Sequence, residues 1–184
     1  PERKKCVVQT TSQVALNLGF LTVLQEGNGY VGGYLVTNRW GRPLEFRLST
    51  IVQPNRVQQI LYGQTLSPYI CSDLIGKALV EKTSLSPHLI ITDSPIVLDL
   101  RFHTESPVVW LGPPEMTGAS NSSGLCPIES CPWPLYRHPR FQGDSELIAA
   151  LVERLDGVLD LAEPFSRVRE AISEARKIGV TKSA

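Results

Sequence analysis

The sequence has no excess charge of either sign: 18 Lys and Arg stand against 18 Asp and Glu in 184 residues. Without a net positive field there is no domain-wide attraction to nucleic acid or to an anionic membrane. Long apolar runs are missing too. The longest stretch, Val14 to Leu24, is broken by Asn17, Gly19 and Thr22, whereas a bilayer span needs about 20 apolar residues. The start, Pro1-Glu2-Arg3-Lys4-Lys5, is not followed by an apolar stretch with a small-residue cleavage site, so no leader is expected. The expected compartment is the cytoplasm, with no membrane partner. Cysteine is scarce: Cys6, Cys71, Cys126 and Cys131. In a cytoplasmic chain of this length they are expected as thiols rather than disulfides. There, the Asn121-Ser122-Ser123 sequon has no use.

The common catalytic signatures are absent as well. Gly29-Tyr30-Val31-Gly32-Gly33 lacks a following Gly-Lys-Ser/Thr and leads into a strand pattern, so it is not a phosphate loop. There is no Gly-x-Ser-x-Gly, His-Glu-x-x-His or Cys-x-x-Cys. These absences argue against the common hydrolases, zinc proteases and nucleotide enzymes.

What is present fits one globular domain over 1–184. With 42% hydrophobic residues and no net charge the chain is not of disordered composition, and at this length it can bury a core without staples. A short β-type run covers Cys6 to Gln9, and the pattern reads as strand over Val14 to Gln25. A Gly/Asn turn follows at Glu26 to Gly29, then a strand over Tyr30 to Thr37, a second turn at Asn38 to Gly41, and a strand over Pro43 to Ser49. In that last strand Leu44, Phe46 and Leu48 alternate with Glu45, Arg47 and Ser49, the period of a sheet with one dry and one wet face. Helices are expected over 54–82, with Val57, Ile60 and Leu61 and then Ile70, Leu74, Ala78 and Leu79 as apolar stripes. Ile96 to His103 repeats the alternation, with Leu98, Leu100 and Phe102 expected inward and Asp99, Arg101 and His103 outward. Residues 112–144 form a long Pro/Gly-rich loop with a tip expected near 117–124, and 145–178 hold the C-terminal helices, interrupted at Asp156-Gly157. The expected fold is therefore α+β, a mainly antiparallel sheet with helices packed on one face.

Three constellations could carry chemistry. Asp99, Arg101 and His103, two apart on a strand, would sit on one face roughly 6–7 Å apart, a set suited to acid–base work or to holding a phosphate. The bland alternative is a solvated face of weak ion pairs. Cys126, Cys131 and His138 are zinc-type ligands within one loop; a fourth ligand, Cys6, Cys71 or His103, would have to arrive through the fold. The two cysteines would otherwise pack as small hydrophobes beside Pro132 and Trp133. Trp133, Tyr136, Arg137, Arg140 and Phe141 interleave cations with aromatics, suited to a partner surface, and in principle to nucleic acid by stacking. No cofactor is expected, zinc aside.

The sequence reading is thus a non-enzymatic protein-interaction or assembly module of a cytoplasmic complex, with another protein or a second copy of itself as partner and nucleic acid not favoured. The alternatives are an enzyme or nucleic-acid-processing subunit of hydrolase type using the Asp99/Arg101/His103 face, or a zinc-stabilised binding module. Spatial convergence decides between them, above all whether His138 reaches Asp99.

Overall fold

The computed structural model describes residues 15–114, 124–129, 131–155 and 159–181. The expectations for Cys6 to Gln9, for the loop tip at 117–123, for the sequon and for the Asp156-Gly157 break lie outside the described residues.

The two N-terminal hairpins form where the turn chemistry places them. β1 (Asn17–Glu26) and β2 (Gly29–Asn38) pair antiparallel over ten positions, from Asn17 opposite Asn38 to Glu26 opposite Gly29. The connecting turn needs a positive φ, which Gly27 supplies at 58° without a Cβ penalty. β3 (Pro43–Leu48) pairs with β2 as the second hairpin. β4 (Leu89–Thr92) and β5 (Val108–Leu111) complete the centre, and β6 (Cys126–Pro127) and β7 (Leu135–Arg137) come from the Pro-rich segment.

The sheet order is β3-β2-β1-β4-β5-β7-β6. Four neighbouring pairs are antiparallel, but β1–β4 and β4–β5 are parallel. The expectation of a mainly antiparallel sheet is corrected to a mixed α+β sheet that is antiparallel in most of its pairings. The reason is visible in β4, where Leu89, Ile90 and Ile91 are all fully buried. Such continuous apolar runs mark strands covered on both sides. Helices accordingly cover both faces, not one. On one side lies the helical run α2 (Leu66–Pro68), a π-helical stretch (Tyr69–Gly76) and α3 (Lys77–Glu81), which buries Ile70, Ile75 and Leu79 against Leu21, Tyr34 and Ile90. On the other lie α4 (Asp144–Glu153) and α5 (Glu163–Thr181), which bury Ile148, Phe165, Val168 and Ile172 against Phe20, Leu35 and Ile91.

Three inward assignments fail. Phe46 and Leu48 share the α5-side face with Leu35, yet they and Leu44 remain 39%, 37% and 45% exposed, because β3 is the edge strand and α5 packs on β1 and β2. α1 (Arg56–Tyr62) has a full capping box from Asn55 and Gln58, yet Val57, Ile60 and Leu61 face solvent. Residues 95–102 are a 3₁₀ segment, Pro95–Phe102, not a strand. Pro95 suits a first helical position, and Val97, Leu98 and Leu100 are buried while Phe102 is 49% exposed. No helix among the described residues is long and apolar enough to cross a membrane.

α5 seats directly on the backbone of β2. A Cβ added at Gly33 would lie 2.7 Å from Val168 Cγ1 and 3.0 Å from Ile172 Cδ1. Gly33→Ala is expected to destabilise the fold by roughly 1–3 kcal/mol, the usual cost of overpacking a core, read as a lower urea midpoint at unchanged m-value.

Candidate functional site

The Asp99/Arg101/His103 set does not share one strand face, because a 3₁₀ segment turns each residue to a different partner. Asp99 Oδ1 lies 3.2 Å from His138 Nε2. Arg101 grips Asp144 in a two-point pair, Nε to Oδ2 at 2.7 Å and Nη2 to Oδ1 at 3.1 Å, and donates from Nη1 to the Thr104 carbonyl at 2.6 Å. His103 pairs with Asp73 of the π-helical stretch.

Those partnerships draw two distant segments together. Phe102, from the 3₁₀ segment, meets His138 and Phe141 edge-on, with ring centroids 4.9 and 5.1 Å away. The Arg101 guanidinium lies over the Phe141 ring at 4.4 Å, and Arg140 lies over Phe102 at 5.8 Å. Beside this cluster is a shallow depression of about 600 Å³ lined by Arg101, Phe102, His103, Thr104, Glu105 and Phe141. His138 thus reaches Asp99, at an open aromatic face rather than in a deep pocket.

Both nitrogens of His138 are occupied. Nδ1 accepts the Arg140 backbone N–H at 3.2 Å, which leaves Nε2 to carry the proton toward Asp99. Burial lowers the His138 pKa, and Arg140 adds to this; Asp99 opposes it. The ring is therefore held neutral, a positioned part of the face with no free lone pair for proton abstraction.

The partner-surface residues separate. Tyr136 is buried against Trp110 at a ring distance of 5.0 Å, and Trp133 packs half-buried on the α4/α5-side core. Arg137 is tied to Ser145 and to the His138 carbonyl. Arg140 and Phe141 reach the surface. Cys126 sits in β6 opposite Arg137, and Cys131 packs beside the core, where burial raises its thiol pKa. Among the described residues no three His, Cys, Asp or Glu side chains form a group that could hold a metal. Cys71 is buried and its thiol is pushed up to about 11.

A second polar centre lies outside the three constellations read from the sequence. β1 and β4 run parallel side by side, and Asp93 lies just past the end of β4, beside Thr22 in the middle of β1. Thr22 of β1 donates to its Oδ2 at 2.9 Å, and Arg169 of α5 donates to the same oxygen. Burial raises the Asp93 pKa, against the opposing pull of Thr22 and Arg169.

No family model matches the chain, and no curated protein matches it. The solved structures similar to this chain include the following two. One is the crystal structure of human ENDOV, at 13% identity and TM-score 0.48, covering 88% of this chain and 86% of that one. The other is Ciona intestinalis Endonuclease V in complex with a 23mer DNA containing an inosine followed by a ribo-adenosine, at 13% identity and TM-score 0.30, covering 54% of this chain and 47% of that one. The expectation of a non-enzymatic protein-interaction or assembly module, with another protein or a second copy as partner and nucleic acid not favoured, is corrected beside these neighbours, the second of which is an Endonuclease V in complex with DNA. The sequence argument against nucleic acid rested on a summed charge, which says nothing about how Phe102, Arg140 and Phe141 are grouped.

Two substitutions separate structure from function. Asp144→Asn removes a carboxylate from a mostly buried pair, with side chains 17% and 10% exposed, and should cost about 3 kcal/mol by leaving Arg101 uncompensated, read by chemical denaturation. Asp93→Asn should behave differently. A carboxyl whose folded pKa is raised stabilises the fold only when protonated, and that contribution is lost as pH rises through the folded pKa. At neutral pH the Asn variant is therefore expected within about 1 kcal/mol of the parent or more stable, as at other sites where charge is kept for function at the expense of stability. A large loss would make Asp93 structural.

Proposed function

We propose that this chain is a nucleic-acid-processing subunit that grips its strand at the Phe102–His138–Phe141 face. The observation that carries the reading is the joining of two segments, 99–105 and 136–141, into an aromatic cluster that Phe102 brings to the surface, with guanidinium groups over two of its rings. Nucleobases stack on such rings whatever their identity, at about 1–3 kcal/mol per base, and arginines beside them meet phosphate. Arg140 makes no ion pair among the described residues, so its charge is available to a phosphate, whereas Arg101 is committed to Asp144.

The gripping face is not where bonds change, since both His138 nitrogens are engaged. We assign proton transfer to Asp93, whose burial beside Thr22 and Arg169 fits a carboxyl tuned for that role. Thr22 and Arg169 fix its orientation.

Fluorescence anisotropy with a labelled ten-nucleotide oligothymidylate tests the grip. Binding is expected at 50 mM salt, weakened roughly 5- to 150-fold by Phe102→Ala and reduced with a shallower salt dependence by Arg140→Ala. Asp93→Asn should leave binding intact while removing any strand cleavage. No binding at low salt overturns the reading.

A further inference from the structure

The aromatic face is bordered by one group that suits no phosphate. Glu105 lines the same depression as Phe102 and Phe141, is exposed, and has no hydrogen-bond or ion-pair partner among the described residues. A strand whose backbone crossed this point would suffer like-charge repulsion from the carboxylate. A strand bound here would instead run its backbone toward Arg140 and turn a base in toward Glu105.

Resting on the proposed function, we infer that the depression takes a single unpaired guanine base, stacked on Phe102 and read by the carboxylate of Glu105. The chemistry of the base edges decides the identity. A carboxylate offers only acceptors, two oxygens side by side. The Watson–Crick edge of guanine offers two adjacent donors, N1–H and N2–H, that meet such a pair in parallel. Adenine and cytosine each offer one amino group beside a ring-nitrogen acceptor, which faces the second oxygen with like polarity. Thymine and uracil offer a single N–H flanked by two carbonyl acceptors. In a duplex all of these edges are already paired, so the site requires an unpaired base.

The surroundings match that pose. Arg101 and His103 line the same depression but are engaged with Asp144 and Asp73, so they fix its wall and leave the reading to Glu105. The volume of about 600 Å³ falls in the range of small-ligand sites. A bidentate base contact discriminates by about 1–3 kcal/mol against the wrong base, a preference of roughly 5- to 150-fold.

The test uses the full chain and four ten-nucleotide oligothymidylates whose central position is thymine, cytosine, adenine or guanine. The guanine strand is expected to bind at least fivefold more tightly than the other three. Glu105→Gln should erase that preference, so that the variant binds all four strands alike, since an amide presents a donor where the carboxylate presented an acceptor. Duplex of the same sequence should lose the preference. Equal binding of all four strands would sink the guanine assignment and leave the gripping face standing; binding of none would remove both. Guanosine monophosphate separates the strand from the free nucleotide: displacement of the guanine strand at nucleotide concentrations near the strand's own Kd would assign the site to the nucleotide and overturn the strand reading.

Discussion

The Arg101–Asp144 pair is the interaction on which the surface chemistry depends. It joins residues 43 positions apart, one at the end of a 3₁₀ segment and the other at the first turn of α4. The fork of the guanidinium matches the two carboxylate oxygens, which fixes orientation as well as distance. Asp144 also sits at a helix start, where negative charge is favoured by the backbone dipoles. With both ends fixed, Phe141 is held under the guanidinium and His138 against Phe102. Without the pair, 138–143 would be held to 99–105 by the Asp99–His138 contact and the packing of Phe102 alone.

The same pair explains which parts of the molecule were legible in the sequence. Local chemistry was: the Gly27-Asn28 turn and the alternation of the strand over Pro43 to Ser49 follow from residues a few positions apart. Relationships across the sheet were not. The period-two pattern at 98–102 is real, but Pro95 and the burial of Val97 turn it into a helical segment. The pattern at 44–48 correctly assigns a strand, and its apolar side does face the α5 layer. It cannot show that α5 stops one strand short, leaving Phe46 partly exposed. An apolar stripe states what a residue prefers to contact, and only the packing of other elements determines whether that contact exists.

The candidate residues divide along the same line. His138 and Arg140 were visible as residue types, and so was the Asp99/Arg101/His103 set, but not that its members would disperse to three partners. Phe102 was assigned to the core because it kept the rhythm of Leu98 and Leu100. Asp93 carried the weakest local signal: a lone carboxylate after an apolar strand. Its significance comes from β1 lying parallel beside β4, a pairing between residues 71 positions apart. A signal was present in Thr22, a polar residue in the middle of an apolar run, fully buried in the structure. Buried hydroxyls need partners, and that requirement pointed to a polar group arriving from elsewhere.

Satisfied and unsatisfied groups then separate support from recognition. At the aromatic face His138, Arg101 and Arg137 have their hydrogen-bonding capacity directed into the protein, so they cannot be offered to a ligand without dismantling the wall they form. What remains outward is a ring surface at Phe102, a cation at Arg140 and a carboxylate at Glu105. These three are chemically unlike, and no simple ion or apolar peptide uses all of them. A nucleotide does: it has a flat π-face, an anionic backbone and a base edge with donors. Zero net charge is consistent with such a site, because stacking and edge recognition act at contact distance, whereas the summed charge of a domain governs only its long-range field.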